Sequence, residues 1–134
     1  MLKILPIQSK TEQEELCRLC GISYKPDLLA YRAEVDGEFR GMSQFKLTAE
    51  GGEVHDIAPV VGTRDFEALF VLGRGTLNFI DLCGVHFARY LGDPSDEPLL
   101  KAIGFQTNES GGFEVNLEGF FTDHCASHEK KNPD

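Results

Sequence analysis

The sequence predicts an α/β (α+β) fold in which a mixed, mostly antiparallel sheet is flanked by helices, in the order β-α-β-β-β-α-β-α-β. Three observations support this class. Apolar and polar residues alternate with period two in runs within residues 29–59, and glycine-containing turns separate the runs, which indicates an antiparallel meander. Residues 65–82 carry apolar side chains at helical spacing. A strand-like segment, residues 85–91, follows that helix and completes a strand–helix–strand crossover.

Two elements precede the meander. Residues 3–8 form a short apolar segment that we expect to be an edge strand. Residues 11–19 are predicted to be a helix, because Ser9 or Thr11 can cap it and glutamates occupy its first turn, where the helix dipole favours anions. Gly21 is expected to end this helix.

The meander is predicted to contain three strands, over residues 29–36, 39–48 and 53–59. Asp36-Gly37 is a strong hairpin signal, because both residues tolerate a positive φ. Gly51-Gly52 is expected to form the second turn. Two tight turns require neighbouring strands to be antiparallel.

The helix at residues 65–82 is apolar almost all round, so we expect it to be buried against the sheet. Gly73 lies on its apolar stripe, where a close approach of helix and sheet would favour glycine. Asp96 can cap the helix that follows. The remaining elements are short and are predicted at residues 85–91, 98–103 and 113–117.

Composition limits the class of protein and of partner. The chain has 134 residues, of which 41% are hydrophobic and 26% charged, as in globular proteins. We expect one domain over residues 1–121 and a flexible polar tail over residues 122–134. No run approaches the roughly 18 apolar residues of a membrane span. The apolar stretch broken by Pro6 is too short for a signal peptide, so we expect a cytoplasmic protein.

The formal net charge of −9 argues against two kinds of partner. Nucleic acids and anionic membrane surfaces both require a basic surface, and the sequence shows no basic stripe. An acidic surface suits a cationic substrate such as an amine. Phe120-Phe121 could cover an edge of the core or form a homodimer patch, and we favour core cover.

The four cysteines are expected to be free thiols. Cys17 and Cys20 could meet His124, Cys125 and His128 to bind zinc, which favours such donors in tetrahedral sets. Structural zinc pairs usually lie on turns, whereas Cys17 and Cys20 fall on a predicted helix. We therefore expect no metal site, with Cys20 packed as a small apolar residue.

Several local motifs add to this order of elements. Ile57-Ala58-Pro59 ends a strand, Cys83-Gly84-Val85 joins a helix to a strand, and the last helix closes on Gly104-Phe105. Together they resemble the GNAT superfamily of acyl-CoA-dependent N-acyltransferases over residues 2–121. The resemblance implies a GNAT-like sheet and an N-acetyltransferase that uses acetyl-CoA to modify a primary amine on a small molecule or a peptide.

The resemblance also implies where the co-substrate would bind. The family's pyrophosphate loop has the pattern Arg/Gln-x-x-Gly-x-Gly/Ala, and here only Arg64 and Ala68 match it, with Glu67 near the first glycine. Backbone groups of Ile57 and Ala58 would pair with the pantetheine arm. Asp65 and Glu67 would repel a pyrophosphate, although both also suit the first turn of a helix.

The resemblance places a general base on or beside the third meander strand, where Glu53, His55 and Asp56 are the candidates and Glu53 or His55 is the one we favour. Strand alternation predicts that these two share one face and that Asp56 points the other way. Leu100 stands where the family often has a tyrosine that protonates the leaving thiolate. The alternatives are a GNAT-like binding or regulatory module without catalysis, or a small interaction protein with an incidental likeness.

Overall fold

A computed structural model of the protein describes residues 1–121. These residues form ten elements: β1 (Leu2–Pro6), α1 (Lys10–Cys20), β2 (Leu29–Val35), β3 (Glu38–Thr48), β4 (Gly51–Pro59), α2 (Phe66–Leu82), β5 (Phe87–Tyr90), α3 (Glu97–Ile103), β6 (Gln106–Thr107) and β7 (Phe113–Asn116). Within this part of the chain, no helix combines the length and the apolar character needed to cross a membrane. The predicted tail and its candidate ligands His124, Cys125 and His128 lie outside the described residues.

The strands form one mixed sheet in the order β1-β2-β3-β4-β5-β7-β6. Neighbours from β1 to β4 are antiparallel, and β4 and β5 are parallel because α2 crosses over between them. The predicted fold class and order are confirmed, except that the two-residue strand β6 was not predicted. Two residues are too short to show a period in sequence.

The two meander turns differ in how well the sequence predicted them. Asp36 and Gly37 have φ values of 53° and 84°, which confirms the first hairpin. The second turn lies at Ala49-Glu50, and Gly51 and Gly52 belong to β4, so the predicted position was wrong. Glycine is needed at residue 52 because a Cβ there would lie 2.9 Å from the side chain of Ile80 in α2.

Helices cover both faces of the sheet and form two apolar clusters. On one face α2 contributes Leu72 and Ile80 to the larger cluster, which includes Phe45 and Val54 of the sheet. On the other face α1 packs against Met42 and forms the smaller cluster. The two helices thus lie on opposite faces of the sheet. The candidate site lies between them, at the end of β4.

The predicted α2 is confirmed. Two of its residues, however, do not pack against the sheet as an apolar helix face would. Phe66, its first residue, is 43% exposed and does not join the core. Gly73 approaches α3 and not the sheet, because a Cβ at that position would lie 2.3 Å from Ile103. At the far end of the described chain, Phe120 and Phe121 pack against the larger cluster, as expected for core cover.

Candidate functional site

The candidate site is a cleft that opens where β4 and β5 diverge. The two strands pair over only three residues of each, ending at Val54 and Tyr90, and the Leu91 N–H then donates to the Val54 carbonyl at 2.7 Å. Beyond this point the last five residues of β4 are not paired with any residue of β5. The space between the strands is a cavity of about 370 Å³. Its walls come from the ends of α1, β4 and β5 and from α3, and they include Asp56, Ile57, Ala58, Arg64, Tyr90 and Leu100.

A β-bulge in β4 accompanies the divergence. Asp56 pairs with Gln44 and Val54 with Phe45, so His55 is left without a partner residue on β3. A bulge bends the strand and interrupts the alternation of its side chains. The prediction that Asp56 points away from Glu53 was therefore wrong: Asp56 lies on the α1 face, where it contacts the side chain of Gln44.

The two predicted bases are brought together on the sheet face. His55 Nε2 lies 3.2 Å from Glu53 Oε1, and the two side chains are 25% and 19% exposed. Glu53 faces Arg89 across the β4–β5 ladder, with its Oε2 3.5 Å from Arg89 Nη2. Neither Glu53 nor His55 lines the cleft itself. The pair therefore lies on the sheet face and not inside the cleft.

Asp56 is the acidic residue of β4 that does line the cleft. Its Oδ2 accepts hydrogen bonds from Lys25 Nζ at 2.9 Å and from Gln44 Nε2 at 2.7 Å. Asp56 was a candidate base but was expected on the opposite face from Glu53 and His55, because nothing in the sequence reveals the bulge. The bulge is a property of the pairing between β3 and β4, so it required the tertiary structure.

Arg64, the residue expected to hold the pyrophosphate, lies at the cleft but is already paired. Its Nη2 lies 2.8 Å from Asp96 Oδ2, and its side chain is 52% exposed. Asp96 also caps α3, because its Oδ1 accepts from the Leu99 N–H at 3.3 Å. A phosphate group would therefore compete with a carboxylate for this guanidinium.

The N-terminus of α2 is already occupied by a carboxylate of the protein. Asp65 is the N-cap, and its Oδ1 accepts from the Ala68 N–H at 3.1 Å, which confirms the capping role that the sequence suggested. Ala68 is fully buried. Its predicted part in holding a pyrophosphate would require the Asp65 side chain to give up this N–H.

Tyr90 lies where β4 and β5 diverge and forms part of the cleft wall. Its hydroxyl donates to the Asp93 carbonyl at 3.1 Å. Burial raises the pKa of Tyr90, and the nearby Asp56 and Asp93 carboxylates raise it further, whereas the backbone of Ile57 acts in the opposite direction. Ile57, a predicted cofactor contact, thus has its backbone beside the Tyr90 hydroxyl. Leu100 is buried in the cleft wall and offers no hydroxyl.

The cysteines of α1 are packing residues. Cys17 Sγ contacts Gln44 Oε1 at 3.4 Å, and Cys20 Sγ contacts the Ala58 carbonyl at 3.7 Å. Burial raises the pKa of Cys17 to about 11 and that of Cys20 to about 12, so both are protonated thiols at neutral pH. Among residues 1–121 no three metal-ligating side chains converge.

No protein-family model matches the sequence, and no curated protein matches it. Solved structures do match the fold. The PaiA N-acetyltransferase of Thermoplasma acidophilum, in complex with coenzyme A, is 14% identical with a TM-score of 0.65, and the match covers 87% of this chain and 99% of that one. A Desulfovibrio desulfuricans protein assigned to the GNAT family of acetyltransferases is 10% identical with a TM-score of 0.64, over 87% and 99% of the two chains.

The N-acetylglutamate synthase of Neisseria gonorrhoeae, complexed with coenzyme A and N-acetyl-glutamate, is also similar. It is 16% identical with a TM-score of 0.66, and the match covers 87% of this chain but only 35% of the synthase. These three structures thus share one sheet and helix arrangement with this chain at low identity. Over the 87% of the chain that the matches cover, the protein has the GNAT acetyltransferase fold.

Proposed function

We propose that the protein is an N-acetyltransferase that moves an acetyl group from acetyl-CoA to a primary amine on a small molecule or a peptide. One observation carries the proposal: in a GNAT fold, the cleft of about 370 Å³ lies where β4 and β5 diverge. Two of the similar structures, PaiA and the N-acetylglutamate synthase, hold coenzyme A. The unpaired edge of β4 suits an extended, amide-bearing arm, which can add to a strand edge through backbone hydrogen bonds.

In this proposal the pantetheine arm of acetyl-CoA runs along β4 beside Ile57 and Ala58. Arg64 and the N-terminus of α2 hold the pyrophosphate, because a guanidinium and free helix N–H groups both favour anions. Both of these sites carry acidic partners, Asp96 and Asp65. The co-substrate therefore has to displace or outcompete two carboxylates, and we expect modest affinity.

The proposed reaction is direct attack of the amine on the thioester carbonyl. A C–N bond forms and the C–S bond breaks. The amine gives a proton to Glu53 or His55, the proposed proton acceptors, which lie 3.2 Å apart, and the coenzyme A thiolate leaves and takes up a proton. Binding of the amine and the thioester side by side in the cleft supplies the remaining rate enhancement, because it replaces a bimolecular encounter in solution.

The second candidate is a GNAT-like binding or regulatory module without catalysis. The observation that favours it is the pairing of the expected phosphate ligands: Arg64 with Asp96, and the Ala68 N–H with Asp65. Glu67 adds another negative charge to the first turn of α2. A leucine at position 100 also removes the usual proton donor to the thiolate.

Isothermal calorimetry of the protein with acetyl-CoA and with coenzyme A, at low salt, separates the two candidates. The enzyme requires micromolar binding that is lost in Arg64→Ala and kept in Lys3→Ala. Lys3→Ala is the matched control, because it also removes an exposed cation but lies on the edge strand β1, which β2 and β3 separate from β4. No heat at hundreds of micromolar co-substrate would refute the acetyltransferase and favour the module.

A further inference from the structure

A buried network of amides stands behind the cleft. Gln13 of α1 and Gln44 of β3 are both fully buried, and Gln13 Nε2 donates to Gln44 Oε1 at 2.9 Å. The same oxygen accepts from the Lys25 backbone N–H at 3.2 Å. Because its oxygen is occupied by donors, the amide nitrogen of Gln44 must point to acceptors, which are the Ser23 carbonyl at 3.0 Å and Asp56 Oδ2 at 2.7 Å.

This network fixes how Asp56 presents its charge. Gln44 Nε2 and Lys25 Nζ both donate to Oδ2, so one oxygen takes both bonds. Oδ1 accepts no hydrogen bond from any residue of the described chain, and the side chain keeps 13% of its exposure where it lines the cleft. A carboxylate oxygen in a mostly buried setting is stabilised by a donor. The open oxygen is therefore directed at whatever enters the cleft.

The fixed orientation distinguishes Asp56 from the other carboxylates of β4 and of the cleft wall. Glu53 shares its charge with His55 and Arg89 on the sheet face and does not line the cleft. Asp96 is used by Arg64 and by the start of α3. Asp93 also lines the cleft, but its carboxylate accepts from the exposed Ser95 N–H. Among the cleft carboxylates of residues 1–121, only Asp56 has a supporting shell of buried hydrogen bonds, the arrangement that holds a functional group in one geometry.

We propose that Asp56 Oδ1 binds the ammonium group of the acceptor amine. This inference rests on the proposed function and names the residue that selects a cation over a neutral nucleophile. The acceptor class is a primary amine that carries its charge when it enters. A charge-assisted hydrogen bond from the ammonium to Oδ1 would hold the nitrogen in the cleft. Gln44 is a positioning residue, because it acts through Asp56, and Lys25 is a cation already paired with Asp56 Oδ2.

The test uses butylammonium as the probe, with 1-butanol as its neutral control. Backbone amide shifts of the labelled full chain are recorded during each titration, with and without coenzyme A. We expect butylammonium, and not butanol, to shift the amides of Asp56 and Ile57. Asp56→Asn should weaken butylammonium binding by at least about tenfold, because the amide keeps the shape and loses the charge.

Two further variants keep the outcome decisive. Lys25→Met leaves Asp56 in place and removes a competing cation, so butylammonium should bind equally or more tightly. Glu97→Gln, which removes an exposed carboxylate that pairs with Lys101, should leave binding unchanged. Thermal unfolding confirms that each variant is folded. The inference is overturned if Asp56→Asn binds as the wild type does, if Glu97→Gln loses as much binding as Asp56→Asn, or if butylammonium shifts neither amide at tens of millimolar.

The proposed function and this inference fail separately. Absence of coenzyme A binding, with an Asp56-dependent response to butylammonium, would remove the acetyltransferase and leave a cation-binding cleft. Coenzyme A binding together with butylammonium binding that does not depend on Asp56 would keep the acetyltransferase and refute the role of Asp56.

Discussion

The guanidinium of Arg64 lies 2.8 Å from the carboxylate of Asp96. This ion pair connects the loop before α2 to the start of α3 at the cleft. Arg64 is the charged residue of the expected pyrophosphate loop that matches the GNAT pattern. Its charge is compensated within the protein before any co-substrate arrives. The affinity for acetyl-CoA therefore depends on how easily this half-exposed ion pair opens, and such pairs contribute only about 0–1 kcal/mol.

We expect Asp96→Asn to strengthen binding of coenzyme A about three- to tenfold at low salt, because it frees Arg64 and removes a negative charge near the pyrophosphate. Asparagine is also a good N-cap, so α3 should keep its start. Calorimetry measures the affinity. Glu97→Gln is the matched control, because Glu97 pairs with Lys101 and not with Arg64. Unchanged or weaker binding in Asp96→Asn would contradict the role assigned to this pair.

Tyr90→Phe should have opposite effects on folding and on binding. The hydroxyl donates to the Asp93 carbonyl in a buried position, so its loss should lower the free energy of unfolding by ~1–2 kcal/mol. The hydroxyl also lies beside the backbone of Ile57. Its removal should leave the Ile57 N–H free for a pantetheine arm, so acetyl-CoA should bind more tightly to the variant.

Urea denaturation and calorimetry together check this expectation about Tyr90. Tyr31→Phe is the control, because Tyr31 stacks on Phe45, away from the cleft. A stability loss without a gain in affinity would show that acetyl-CoA does not use the Ile57 N–H.

Two glycines of α2 offer a matched pair of substitutions. A Cβ at Gly73 would lie 2.3 Å from Ile103, so Gly73→Ala should destabilise the protein by about 1–3 kcal/mol through overpacking. A Cβ at Gly75 would make an ordinary 3.4 Å contact with Ile4, so Gly75→Ala should gain up to ~1 kcal/mol from helix propensity. Chemical denaturation of the two variants measures both values. Rescue of Gly73→Ala by Ile103→Val would identify the clash, and equal effects at the two sites would contradict this account.

The raised pKa values of Cys17 and Cys20 predict a loss of stability at alkaline pH. Both thiols deprotonate near pH 9 when unfolded but only near pH 11 to 12 when folded, so the unfolded state releases protons first. The free energy of unfolding should therefore fall as the pH rises through this window. Cys20→Ala should show a shallower fall, although it costs packing at every pH.

Thiol labelling followed by mass spectrometry gives a second measure of the same pKa values. At pH 8, Cys17 and Cys20 should react at least about tenfold more slowly than exposed Cys83, because the thiolate is the reactive form. Comparable rates at the three sites would mean that α1 does not bury its thiols.

The sequence predicted the local elements well because their signals are local. Periodicity located α2, Asp65 and Asp96 were identified as caps, and Asp36-Gly37 gave the hairpin, since each depends on the few residues beside it. The order of elements and three short motifs then led to the fold. By itself, the sequence determined the layered arrangement of helices and sheet.

The tertiary structure alone decided the chemistry of the cleft. The bulge at His55 depends on the register between β3 and β4, and it turns Asp56 toward Gln44. The pairing of Arg64 with Asp96 joins residues 32 positions apart, a contact that no local pattern encodes. Side-chain direction and charge compensation arise only when distant segments pack together. For that physical reason, the sequence predicted candidate residues for the site but did not determine which of them line the cleft.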